Sequence, residues 1–227
     1  MKNAKLMYLT LLLGMGVEMA HAQKYPPIEQ YLMPPAEEIA LAKTAAPANI
    51  SDRATIKVLT RSGFEVAQPG DNGSVCLVMR GFSAPTYTPA EFRNLVYDAA
   101  VRAPICFTPL AVHTVLPYYE LRTKLALQGK NPDDIAAGVE AAYAKGQLPK
   151  RDGVSFAYMW SARQNLASGI GHWHPHVMIF APQYNNSMVG GNPFGSPLPQ
   201  LTDDAETPFS VVVIPVDDQL AIGGDMK

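Results

Sequence analysis

The chain has 227 residues, 48% of them apolar and 17% charged, with a formal net charge of −2 and a pI near 6.2. That balance is globular: it excludes a disordered or fibrous chain, and it lacks both the basic excess of a nucleic-acid binder and any acidic block. Two counts stand out, 20 prolines and only two cysteines.

Residues 1–22 have the three parts of a secretory signal peptide. Lys2 and Lys5 are positive, Leu6 to Val17 is apolar, and Ala20-His21-Ala22 supplies small residues before Gln23. The apolar stretch is too short to span a bilayer. No later segment approaches 18 uninterrupted apolar residues, so the mature chain is expected to be exported without a membrane anchor, to a periplasm or the extracellular space. In an oxidising compartment, Cys76 and Cys106 are expected to form one disulfide.

Residues 23–50 form a proline-rich segment with a short helix over 36–45. Pro35 suits a first helical position, Glu37 and Glu38 favour the positive end of the dipole, and Pro47 ends the helix. Residues 51–227 are expected to make a single domain. Its first part reads as a β-meander: strands over 54–59, 64–67 and 75–79, with Asn72-Gly73 as a hairpin signal.

The middle is helical. Thr88-Pro89-Ala90-Glu91 has the form of a capping box before Phe92, Leu95, Val96 and Ala99 on one helix face. Pro104, Pro109 and Pro117 break the next stretch into pieces. A helix over 117–128 closes at Gly129, and Asn131-Pro132-Asp133-Asp134 opens another that ends near Gly146. Strands return over 154–160, 176–180 and 209–214, with a long loop at 182–200. In the 154–160 strand, Tyr158 and Trp160 are expected to pack into the core.

Strands, helices, then strands with an antiparallel sheet is an α+β order. It resembles the broad order of PAS and Cache sensor domains in topology alone, without any sequence motif of those families, so the resemblance implies no function.

The densest chemistry is Gly171-His172-Trp173-His174-Pro175-His176. On an extended backbone His172, His174 and His176 would share one face with Met178 and Phe180. Imidazoles at this spacing suit Zn or Cu. All three span about 13 Å of strand, so one ion would need a bend there, which Pro175 could supply. A fourth ligand would come from His113, Glu120, Asp152 or Asp203. The bland alternative is a set of hydrogen-bonded or solvated imidazoles capping the sheet.

Trp173, Tyr184 and Phe194 are the aromatics near this segment and the long loop least committed to a core, hence candidates for ligand binding. No HExxH, Walker A loop, G-x-S-x-G elbow, S-x-x-K or C-x-x-C is present. The sequence therefore points to an exported binding module for a small molecule, a metal or an envelope partner. The alternative is a metal-assisted hydrolase using the histidine cluster.

Overall fold

A computed structural model describes residues 25–83, 95–151, 153–167, 171–193, 195–203 and 205–224. The signal-peptide pattern and the capping box at 88–91 lie outside these residues.

Helix α1 (Pro35–Lys43) starts with proline in its first turn, beside Glu37 and Glu38. A short α2 (Ala48–Ser51) follows Pro47. Strands β1 (Thr55–Thr60) and β2 (Gly63–Gln68) pair as an antiparallel hairpin. Strand β3 (Val75–Met79) does not continue a meander. It joins the other side of β1 and runs parallel to it, through Thr55↔Val75 and Ile56↔Cys76.

Asn72-Gly73 therefore makes no hairpin. Asn72 accepts from Ser74 N and donates to Ile50 O, holding the connection as it passes the start of β1. Gly70 is the crossing point. A Cβ there would lie 2.2 Å from the carbonyl carbon of Ala54, so only glycine fits without displacing backbone.

Strand β4 (Ala103–Phe107) carries Pro104 inside it and sits between β3 and β5 (Ser155–Met159). In the sequence Pro104 reads as a breaker, yet it lies inside this strand. Cys76 and Cys106 face each other with Cα atoms 3.9 Å apart, the close spacing of a non-hydrogen-bonded pair. Pro104, two residues away and opposite Val78, occupies the same kind of position, so its missing N–H would point toward β5. The β4–β5 pairing covers only Cys106↔Tyr158 and Phe107↔Ala157, so no ladder bond is lost there.

Helices α3 (Pro109–Thr114), α4 (Leu116–Leu127) and α5 (Pro132–Ala144) follow, each with proline in its first turn. Asn131 caps α5 by accepting from Asp134 N at 2.8 Å. Strands β6 (His176–Phe180), β7 (Gln200–Asp203) and β8 (Val211–Pro215) complete an eight-stranded sheet in the order β2-β1-β3-β4-β5-β6-β8-β7. Every pairing except β1–β3 is antiparallel. The architecture is α+β with one open, mostly antiparallel sheet.

One face of the sheet carries the main core. Val75, Leu77, Met79, Ile105, Phe107, Ala157, Met159, Met178, Phe180, Val211 and Val213 pack with Val115, Tyr118, Tyr119 and Val139 of the helical layer. The other face is covered in part. Leu41, Ala42, Ala45 and Ala46, on and just after α1, close over Ile56, Val78 and the Cys76–Cys106 disulfide, which is fully buried. A buried ion pair anchors α1: Glu38 Oε1 accepts from Arg80 Nη2 at 2.9 Å and from Leu59 N at 3.1 Å. Arg80 Nε also donates to Tyr31 O at 2.8 Å. Helix α1 reaches β1, β3 and β4. Beyond them the same face is covered unevenly: Phe156 of β5 is 43% exposed, Ile179 of β6 is half-buried, and Val212 of β8 is buried.

Candidate functional site

The two ends of β5, β6 and β8 differ in chemistry. At one end, β5 and β8 finish and β6 begins, and there the histidine segment sits. Gly171 takes a φ of +64°, and the ladder of β6 starts only at His176↔Pro215. His176, Met178 and Phe180 do share the buried face, as alternation requires. His172 and His174 precede the ladder, so the three imidazoles occupy three different environments.

His176 is 3% exposed and donates from Nδ1 to the His174 carbonyl at 2.7 Å. A carbonyl only accepts, so Nδ1 carries the proton. Burial pushes the pKa of His176 down to about 4, helped by the neighbouring charges of His174 and His172 and opposed by the carbonyl bond. It is neutral across the physiological range.

His174 is partly exposed and pairs through Nδ1 with Asp218 Oδ1 at 2.7 Å. Asp218 lies in the single 3₁₀ turn Asp218–Leu220, which Asp217 caps through Gln219 N. The segment is clamped from below by Gln164, whose Nε2 donates to Trp173 O at 2.6 Å and His174 O at 3.3 Å. Val216 N donates to Pro175 O at 2.8 Å. Trp173 packs against the main core, its ring 5.0 Å from that of His176 and 5.7 Å from that of His174. His172 is exposed.

Among the described residues, no group of three His, Cys, Asp or Glu is placed to hold a metal ion. His113 is exposed at the end of α3, and Glu120 pairs with Lys57. Asp152 and the side chain of Asp203 lie outside the described residues.

The opposite end of the same strands carries an apolar groove of about 530 Å³ on the unevenly covered face. Its floor follows the register: Phe156 stands opposite Ile179, and Ile179 opposite Val212. Ile214, Val154 and Ala181 extend the floor, and Tyr184, Met188, Val189 and Pro199 of the long loop form a wall. Val154, Phe156, Tyr184 and Met188 are 45%, 43%, 38% and 60% exposed. Large side chains left in water at this level, gathered on one patch, mark a contact surface more often than scattered surface residues do.

The wall is knit by its own polar side chains. Asn186 donates to Asn192 O and accepts from Leu201 N, while Asn192 donates to Pro199 O at 2.6 Å. The fully buried Gln200 accepts from Gly195 N and donates to Ser196 O. The Asn, Gly and Pro content that signals a loop therefore also builds a defined wall.

Of the sequence-derived ligand-binding residues, Tyr184 lines this groove, Trp173 belongs to the histidine end, and Phe194 lies outside the described residues. Phe156, Ile179, Met188, Val212 and Ile214 were missed. The face of β5 buried against the helices is Ser155, Ala157 and Met159, while Phe156 and Val154 are exposed. Tyr158 packs beside the α1 cluster, with Trp160 edge-on to it.

No family model matches the chain, and neither a curated protein nor a solved structure matches it. The PAS- and Cache-like order accordingly supports no analogy beyond a mixed α+β sheet.

Proposed function

We propose that the protein is an exported binding module whose ligand is a flexible apolar molecule, such as a fatty acyl chain, held in the groove on the unevenly covered sheet face. The observation that carries this reading is the groove itself. Its ten lining residues are apolar apart from the single phenol of Tyr184. Its volume falls within the range of small-molecule sites, roughly 300–1,000 Å³.

The floor argues against an extended peptide added to the sheet. Strand β6 is paired on both sides, by β5 and β8, and β8 by β6 and β7. Their backbone donors and acceptors are already used, and strand addition needs a free edge. A ligand that asks for no backbone hydrogen bonds suits the surface better.

Export rests on the leader pattern of residues 1–22, and the Cys76–Cys106 disulfide is compatible with an oxidising compartment. Among the described residues, no helix is long and apolar enough to cross a membrane.

The test is displacement of a fluorescent fatty acid, followed by native mass spectrometry of the purified protein with free fatty acids. Saturable one-to-one binding that Phe156→Asp and Ile179→Asp each reduce at least tenfold is the expected result. Absence of saturable binding, or binding that both variants retain, would overturn the assignment. N-terminal sequencing of the secreted product is expected to begin at Gln23.

A further inference from the structure

Granted that the groove binds an acyl chain, its wall also selects the head of that chain. We infer that Tyr184 is the specificity-determining residue of the groove: its phenol donates to an uncharged head, an ester carbonyl in preference to a free carboxylate.

The backbone around Tyr184 is strained on both sides of a loop crossing. Among the described residues, Gln183 and Glu206 carry a positive φ without being glycine, at +66° and +60°. A residue with a Cβ adopts that conformation at a cost and keeps it only where its surroundings impose it, and such residues gather at ligand clamps.

Here the two strained residues are cross-tied. Gln183 N donates to Thr207 O, and Glu206 N donates to Tyr184 O, both at 2.8 Å. Tyr184 N donates back to Ala181 O at 3.3 Å, just past the end of β6. On its other side, Asn185 accepts from Met188 N and donates to Glu206 Oε1 at 3.1 Å. The backbone that carries Tyr184 is therefore held at several points, while the residue itself stays exposed along the groove.

The clamp presents a polar atom that is still unused. Tyr31 and Tyr143 spend their hydroxyls on Tyr97 O and Arg151 N, whereas the Tyr184 hydroxyl takes no hydrogen bond among the described residues. The other nine lining residues are apolar, so this phenol is the described group that can orient a head.

Charge then favours the ester. No Lys, Arg or His is among the described lining residues, and the ionisable group tied to this part of the wall is the acid Glu206. A carboxylate would give up water at an apolar surface with no cation to replace it. An ester carbonyl asks for one donor, which a phenol supplies.

Dodecanoic acid and its methyl ester are the probes. Each would displace one uncharged fluorescent dye from the tag-free protein at about pH 8, where the acid is ionised. Wild type is expected to bind the ester at least about fivefold more tightly than the acid. Tyr184→Phe keeps the ring and removes the hydroxyl; with an unchanged melt, it is expected to weaken the ester about threefold to tenfold and so narrow the preference. Phe156→Asp spoils the floor and is expected to weaken both probes. Acid bound as tightly as ester by wild type, or an ester affinity that Tyr184→Phe leaves unchanged, overturns the role of Tyr184 while the groove stands. No saturable binding of either probe by wild type overturns both.

Discussion

Phe156 and Ile179 face each other across β5 and β6 on the unevenly covered side of the sheet, while their neighbours Ala157 and Met178 face each other beneath the helices. One step in sequence thus separates a core position from a groove position. The two kinds of position should respond oppositely to substitution. Phe156→Asp removes a side chain already 43% exposed, so its cost to stability is expected to stay within about 1 kcal/mol while ligand binding falls. Phe107→Ala empties a fully buried ring packed against Tyr119 and Phe180, and is expected to cost about 3–5 kcal/mol. Urea denaturation of both variants measures the contrast.

The disulfide joins residues 30 apart in sequence, directly opposite each other in the sheet and sealed under α1. Closing a loop of that length restricts the unfolded chain by about 3.5 kcal/mol in the entropy model. The double variant Cys76→Ala, Cys106→Ala is therefore expected to fold with a lowered denaturation midpoint. The wild-type protein, denatured without reductant, is expected to show no reactive thiol.

The helices were the most legible part of the sequence. Asn131-Pro132-Asp133-Asp134 states a helix start in local chemistry, and α5 begins there. Strand β4 was not legible because Pro104 is tolerated only by virtue of a gap in the neighbouring pairing, which is a property of β5 and not of the local sequence. The groove was hidden for a similar reason. Strands β6 and β8 are apolar on both faces, a pattern that ordinarily means burial on both sides. How fully the second face is covered depends on how far α1 reaches across the sheet, which only the tertiary packing decides. The histidines were found as a cluster, but the ladder begins at His176, so alternation could not be carried back to His172.

Gly70 offers a direct check of the crossed connection between β2 and β3. In a meander this residue would sit in an open turn and tolerate alanine. Here its missing side chain is what lets the connection pass the backbone of Ala54 and Thr55. Gly70→Ala is expected to cost more than about 3 kcal/mol, among the larger single-site effects. Gly153→Ala, where a Cβ would meet nothing within 4 Å, is the control expected to change stability by less than about 0.5 kcal/mol. Thermal melts of the two variants decide between the connections.

The burial of His176 makes the fold sensitive to acid in a predictable window. Its folded-state pKa is depressed to about 4 by burial, against an ordinary value of 6.5. Between those values the unfolded chain binds the proton more readily than the folded one, so stability rises with pH through that window and is lost as pH falls. The shift corresponds to about 3 kcal/mol of stability present at pH 7 and gone by about pH 4. A neutral replacement removes the proton linkage at the cost of some packing. His176→Gln is therefore expected to be less stable than wild type at pH 7 but to lose less of its stability between pH 6.5 and pH 4. Chemical denaturation at several pH values, with chelator present to exclude bound metal, measures the slope. An unchanged slope in the variant would mean that another group carries the acid sensitivity.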